Sequence, residues 1–297
     1  MDAARSGTAG RGDGDMVTVG IDLAGYTSTT GACRVTWSDE PVVELLPARN
    51  DEDLLTAMRS ADRTGLDSPL GWPVAFAALL GAHQTGAALP VRSGYGARED
   101  GRPGLGNRFT HRLTDDVAWK RTGAGTQRPL SVSADKLGVV AMRAADLMER
   151  LADGGPALPR DGSGPVLEVY PAYALLQWGL LPAGTYKGKD GAPARAVIVE
   201  ALEDGLGFAL PEAVRGRCVR SDHDLDALVS AVVARAAALG LTDPPETDEE
   251  RAAAAIEGWM HLPRRGTPLA GLRGQGLSFG SGPGSCPVRG RREGPAP

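Results

Sequence analysis

Met16-Val-Thr-Val-Gly20-Ile-Asp22-Leu-Ala-Gly25 is a short apolar run that ends on an acid and a polar turn. That pattern belongs to a central, buried strand. An aspartate closing such a strand loses hydration on folding, so it needs a partner or a cation. Two more apolar runs follow at 31–38 and 42–48. The connections Tyr26–Gly31 and Asp39–Pro41 are short, which predicts an antiparallel meander of three strands.

Working outward, Asn50–Ala61 predicts a helix capped by Asn50 or Asp51, with Leu54, Leu55 and Met58 on its apolar side. Residues 63–73 hold a very short strand that stops at Pro69, because proline cannot donate to a ladder. Val74 opens another helix. Residues 84–130 are Gly- and Arg-rich with little periodicity, a length of irregular chain that is usually functional or mobile. An amphipathic helix over 134–152 precedes a buried strand at 166–172 and a helix over Tyr173–Trp178. Helices over 194–207 and 221–240 follow, the last with Ser221 at its N-cap and Gly240 just past its end. Three hairpin-linked strands and then helix-crossed strands predict an α/β fold. The expected architecture is a mixed five-stranded sheet, antiparallel then parallel, with helices on both faces, which is the ribonuclease H-like arrangement.

The 297 residues include three cysteines, Cys33, Cys218 and Cys286, in no ligand-like spacing, and four histidines with none at a metal-pair spacing. A disulfide framework and a structural zinc site are not expected, and a reducing, cytoplasmic location is. No segment approaches a membrane span and no secretory signal is visible, so no membrane association is expected. Residues 1–15 and the Gly/Pro/Arg-rich 263–297 are expected to be disordered tails around a folded domain at 16–262. The net charge is −5; setting aside −1 for the first fifteen residues and +5 for the last thirty-five leaves −9 for the domain. So acidic a domain repels phosphates, and a nucleic-acid role would require a metal ion or a local basic patch.

Several acids stand where chemistry is expected. Asp22 and Asp67 end strands, Glu168 lies inside Val166-Leu167-Glu168-Val169, and Asp222 and Asp226 sit on the last helix. Carboxylates converging at strand ends repel one another unless Mg²⁺ or Mn²⁺ lies between them. At 100° per residue, Asp222 and Asp226 border the apolar stripe of Leu225, Leu228, Val229 and Val232, while Asp224 flanks its other edge. Each acid also has a plain reading: Asp22 as a turn residue, Asp67 as an Asx turn, Glu168 as a strand acid held by an arginine, Asp222 and Asp224 as helix-dipole partners. Among the bases, Arg112 lies in Arg108–Asp115, which reads either as a phosphate-contacting loop or as a solvated one. Lys187 and Arg195 read either as phosphate ligands or as a solvated flank.

Taken in order, Val19-Gly-Ile-Asp22, Leu66-Asp67-Ser-Pro-Leu-Gly71, Arg112-Leu-Thr-Asp115, Leu167-Glu168-Val-Tyr-Pro171, Tyr186-Lys187, Asp222-His-Asp-Leu-Asp226-Ala227 and Glu257-Gly-Trp259 resemble a family known as domain of unknown function 429. Its members are regarded as predicted nucleases of the ribonuclease H-like superfamily. The resemblance covers about residues 17 to 262. It implies that Asp22 is the strand-one metal ligand, Asp67 its neighbour, Asp226 or Asp222 the acid of the final helix, and Glu168 the acid of the next strand. The implied activity is divalent-metal-dependent phosphodiester hydrolysis, with two ions ~4 Å apart and nucleic acid, DNA or RNA, as partner. Two other readings stand beside it. Asp22–Thr30 also resembles the phosphate hairpin of actin-like ATPases and sugar kinases, which implies phosphotransfer. The same fold could also serve as a non-catalytic binding module.

Overall fold

The protein was analysed as a computed structural model that describes residues 15–25, 29–48, 50–89, 107–123, 126–133 and 137–273. Strands β1 (Met16–Asp22), β2 (Gly31–Trp37) and β3 (Val42–Leu45) form the expected antiparallel meander. Helix α1 (Asp51–Arg59) then crosses to β4 (Arg63–Asp67), which pairs parallel with β1. Helices α2 (Val74–Thr85), α3 (Asn107–Thr110), α4 (Leu113–Thr122) and α5 (Leu137–Ala152) precede β5 (Val166–Val169), parallel to β4. Helices α6 (Pro171–Gln177), α7 (Ala192–Leu206), α8 (Glu212–Arg220), α9 (Asp222–Ala238) and α10 (Asp248–Glu257) complete the helical set among the described residues.

The sheet has six strands rather than the expected five, in the order β3-β2-β1-β4-β5-β6. The extra strand, β6 (Met260–His261), is only two residues long and pairs parallel with β5. Too short to show an alternating pattern, it gives no strand signal in the sequence.

Pleating sorts the side chains onto two cores. Val19, Ile21, Leu66 and Val166 point towards α1 and α5, while Cys33, Val35, Leu167 and Val169 point towards α6, α7, α8 and α9. Helix α9 is the centrepiece. Leu225, Leu228, Val229, Val232 and Val233 are each at most 1 % exposed. Burying an aliphatic side chain of this kind contributes about 1.5–3 kcal/mol. The helix is buried on almost every side, not along the single stripe expected, because α7 and α8 pack over the faces turned from the sheet.

Two further expectations change. Residues Arg108–Asp115 are not a loop: Arg112 caps α4, donating its backbone N–H to Asp115 Oδ2 at 2.8 Å. Ordered chain also runs past 262. Residues Leu269–Arg273 form a 3-10 helix whose Leu269 and Leu272 are buried against α7, and Arg235 Nε donates to the Leu272 carbonyl. Of the tails expected at 1–15 and 263–297, residues 1–14 and 274–297 lie outside the described residues. Among the described residues no helix is long and apolar enough to cross a membrane.

Candidate metal centre

Strands β1 and β4 each carry the triplet glycine-x-aspartate, Gly20-Ile21-Asp22 and Gly65-Leu66-Asp67, and they pair in register, Gly20 with Gly65 and Asp22 with Asp67. The two aspartates therefore emerge side by side at the C-terminal end of the sheet, on the face that carries α9. The glycines let that helix descend onto the strands. A Cβ on Gly20 would lie 2.0 Å from the Ala227 carbonyl oxygen, and one on Gly65 would lie 2.3 Å from that of Ser230. Asp226 precedes Ala227 and is thereby set over the strand ends. Gly31 does the same for the first turn of α9, where a Cβ would lie 2.3 Å from the His223 carbonyl oxygen.

As a result, one carboxylate oxygen from each of Asp22, Asp67 and Asp226 lies within 4.8 Å of the other two. Asp226 is wholly buried; it accepts a hydrogen bond from the Tyr186 hydroxyl at 2.9 Å and forms an ion pair with Lys187. Burial pushes its carboxyl up to about 6, Asp22 adding to the rise while Lys187 and Tyr186 oppose it. Burial and then Asp22 push Asp67 well above the usual carboxylate range. No hydrogen bond reaches the Asp67 carboxylate among the described residues. Asp22 accepts from His223 Nδ1 at 2.6 Å, and that hydrogen bond, against the effect of burial, raises the imidazole above its ordinary value. Burial opposes the charge on Lys187, but Asp226 and Asp67 outweigh it and hold the ammonium above its usual range.

Among the described residues one ammonium faces three carboxylates, and one of the three receives no hydrogen bond. Three hard oxygen donors short of positive charge suit Mg²⁺ or Mn²⁺ better than a thiophilic metal. The residues present thus fit a divalent cation held by Asp22, Asp67 and Asp226.

The other candidates are placed elsewhere. Glu168 pairs in register with Leu66, one residue out of step with Asp67, so it points to the opposite face of the sheet. There both its oxygens receive Arg112, at 2.6 Å each, and the Leu70 N–H donates to Oε2 at 3.0 Å. Arg112 is 2 % exposed and also donates to Asp115 and to the Glu257 carbonyl, which leaves it no donor for a phosphate. Asp222 lies outside the three-carboxylate cluster; its Oδ2 accepts from the Gly188 N–H at 3.1 Å. Asp224 pairs with Arg217. Arg195 is 1 % exposed and donates to the carbonyls of Tyr186, Gly188, Val219 and Arg220. Rather than meeting a ligand, it clamps the segment bearing Lys187 to the α8–α9 junction. Of the three expected phosphate ligands, Lys187 alone reaches the Asp22–Asp67–Asp226 cluster. In the Asp22–Thr30 hairpin, residues 26–28 lie outside the described residues, and the Thr30 hydroxyl accepts from Ala24 N–H and from Arg143.

His223 and Tyr186 are members of the site that the sequence reading did not single out as ligands or partners. His223 follows Asp222 at the start of α9, and Tyr186 adjoins Lys187. Helical spacing from Asp226 was the available signal for His223, which lies three residues earlier on the same helix face.

Comparison with curated proteins and with solved structures yields no match. A family model described as "Protein of unknown function (DUF429)" matches residues 20–251, a span that includes all three cluster aspartates, Lys187 and His223. The chain belongs to that family.

Proposed function

We propose that this protein is a divalent-metal-dependent phosphodiesterase of ribonuclease H-like fold, acting on nucleic acid. The observation that carries the reading is the convergence of Asp22, Asp67 and Asp226 from two parallel strands and one helix. The strand order, an antiparallel meander whose first strand continues into parallel pairing, supports the fold assignment. Asp22, Asp67 and Asp226 would hold Mg²⁺ or Mn²⁺, which when bound supplies an activated water and stabilises the leaving oxygen of a phosphodiester.

The chain's own residues have distinct tasks. Tyr186 and Lys187 fix the Asp226 carboxylate from two sides, and His223 fixes that of Asp22. Lys187, whose side chain is 47 % exposed, is a cation at the cluster open to an incoming phosphate oxygen. Arg195 holds its segment in place by four carbonyl contacts.

Titration with Mn²⁺ tests the reading. Millimolar Mn²⁺ raises the melting temperature of the wild-type chain, and Asp22→Asn abolishes the rise. Cleavage of single-stranded or structured nucleic acid in the same buffer, absent in Asp22→Asn, completes the case. Absence of both the shift and the cleavage refutes it, and nucleotide hydrolysis without strand cleavage replaces it with the phosphotransfer reading.

A further inference from the structure

A pocket of about 100 Å³, half open to solvent, adjoins the carboxylate cluster and shares Asp67 with it. The walls are apolar: Pro69, Leu130, Leu137, Met260 and the ring of Tyr170. The floor is the buried ion network of Arg112 with Glu168 and Asp115.

Charge decides what can enter. The Arg112 guanidinium is satisfied by two carboxylates and a carbonyl, so it offers no donor to an anion. With Glu168 and Asp115 set against the single guanidinium, the pocket offers no net positive charge. A phosphate or carboxylate is therefore not attracted, and an uncharged group with apolar faces is favoured. Polar valence nevertheless remains in the lining. Among the described residues the Tyr170 hydroxyl makes no hydrogen bond, and neither does the Asp67 carboxylate. The Ser68 hydroxyl has only a 3.3 Å contact with the Pro69 carbonyl. An apolar lining with a spare donor and spare acceptors suits a planar heteroaromatic ring, which has apolar faces and a hydrogen-bonding edge.

We infer that this pocket receives an unpaired nucleobase of the substrate, whose adjoining phosphate meets the Asp22–Asp67–Asp226 cluster. The inference rests on the phosphodiesterase reading for the phosphate, and it narrows the substrate to a nucleotide free of its duplex partner. A base stacked and paired in a helix cannot reach into a recess lined by side chains unless it is extruded or already single-stranded.

Nucleoside binding to the metal-free, full-length chain tests the pocket apart from the metal. Adenosine and uridine, followed by saturation-transfer NMR and calorimetry, are expected to bind with a Kd of roughly a millimolar, as suits small uncharged ligands. Inorganic phosphate at the same concentration is expected neither to bind nor to compete. Leu130→Trp, at a side chain 45 % exposed on the pocket wall, fills the space and is expected to weaken nucleoside binding by at least ~10-fold, about 1.4 kcal/mol. Tyr170→Phe removes the unused donor and is expected to weaken it a few-fold; it also decides the matter if Leu130→Trp misfolds. Both variants keep the wild-type response to Mn²⁺. Failure of either nucleoside to bind, undiminished binding in both variants, or competition by phosphate overturns the pocket assignment. Nucleoside binding without any Mn²⁺ response overturns the metal reading instead and leaves the pocket standing.

Discussion

Gly20 and Gly65 lie side by side on parallel strands, and the backbone of α9 rests on both of them. This contact, more than any single ligand, assembles the site. It sets the height of Asp226 above Asp22 and Asp67, which follow the two glycines by two residues.

A methyl group at either position has no room, because what it meets is helix backbone rather than a flexible side chain. Gly20→Ala is expected to lose at least about 3 kcal/mol in urea unfolding, the upper range for overpacked cores. Gly71→Ala, where the nearest backbone oxygens lie 2.8 Å away, is expected to cost less. Equal losses at both positions, or a Gly20→Ala protein as stable as wild type, would sink the idea that α9 is seated by these glycines.

The meander and the central acid at Asp22 were legible because apolar runs and short loops specify hairpins directly. The two glycine-x-aspartate triplets were visible too, yet their meaning depends on strand register, which is a tertiary property. Glu168 shows the same gap from the other side. It lies in an apolar strand beside Asp67, but a one-residue offset turns it to the opposite face, where Arg112 neutralises it. Arg112 is a long basic residue in an irregular, polar stretch, and nothing local distinguishes it from a solvated arginine. Its burial comes from Glu168, fifty-six residues away, and from the Glu257 carbonyl, far along the chain. Glu257 itself accepts from the N–H groups of Val74 and Leu113, so one carboxylate serves the starts of α2 and α4. Partners of this separation leave no periodic trace.

Arg112→Met tests that account. It strands Glu168 and Asp115 as unpaired buried acids and is expected to cost about 3–5 kcal/mol of stability. Adding Glu168→Leu should recover part of the loss, since one uncompensated charge is then removed. Denaturant unfolding of the single and double variants reads both effects. A stable Arg112→Met protein with a selective loss of nucleic-acid affinity would restore Arg112 as a phosphate ligand.

Lys187 pairs with Asp226, so it neutralises that carboxylate and would compete with a divalent ion for it. Lys187→Met is expected to destabilise the metal-free protein, because Asp226 keeps its burial and loses its counter-charge. The same change should tighten Mn²⁺ binding by about tenfold, as expected for removing one like charge a few ångströms from the ion. Melting curves across a Mn²⁺ series separate the two effects, the first at zero metal and the second in the concentration dependence. Weaker Mn²⁺ binding in Lys187→Met would mean that the lysine organises the carboxylates instead of competing for them.

His261, at the sheet edge on β6, makes stability depend on pH. Its Nε2 faces the Asp161 carbonyl at 2.9 Å, and a carbonyl only accepts, so that nitrogen carries the proton. Nδ1 then accepts from the Thr242 hydroxyl at 3.0 Å, and the neutral ring is fully satisfied. Burial lowers its pKa, the Asp161 carbonyl opposing and Arg63 adding to the fall. The unfolded chain therefore takes up a proton near pH 6.5, about where a free histidine titrates, before the folded chain does. Stability from this group is complete above about pH 6.5 and is lost as the pH falls towards the folded-state value. His261→Gln keeps an N–H for the Asp161 carbonyl but cannot titrate. The unfolding free energy of wild type minus that of the variant should rise between about pH 5 and pH 7.5, with a slope of at most ~1.4 kcal/mol per pH unit for one proton. The subtraction removes the contributions of His111, lowered by burial, and of His223, raised by Asp22. A difference that stays flat across that window would assign the acid sensitivity to another group.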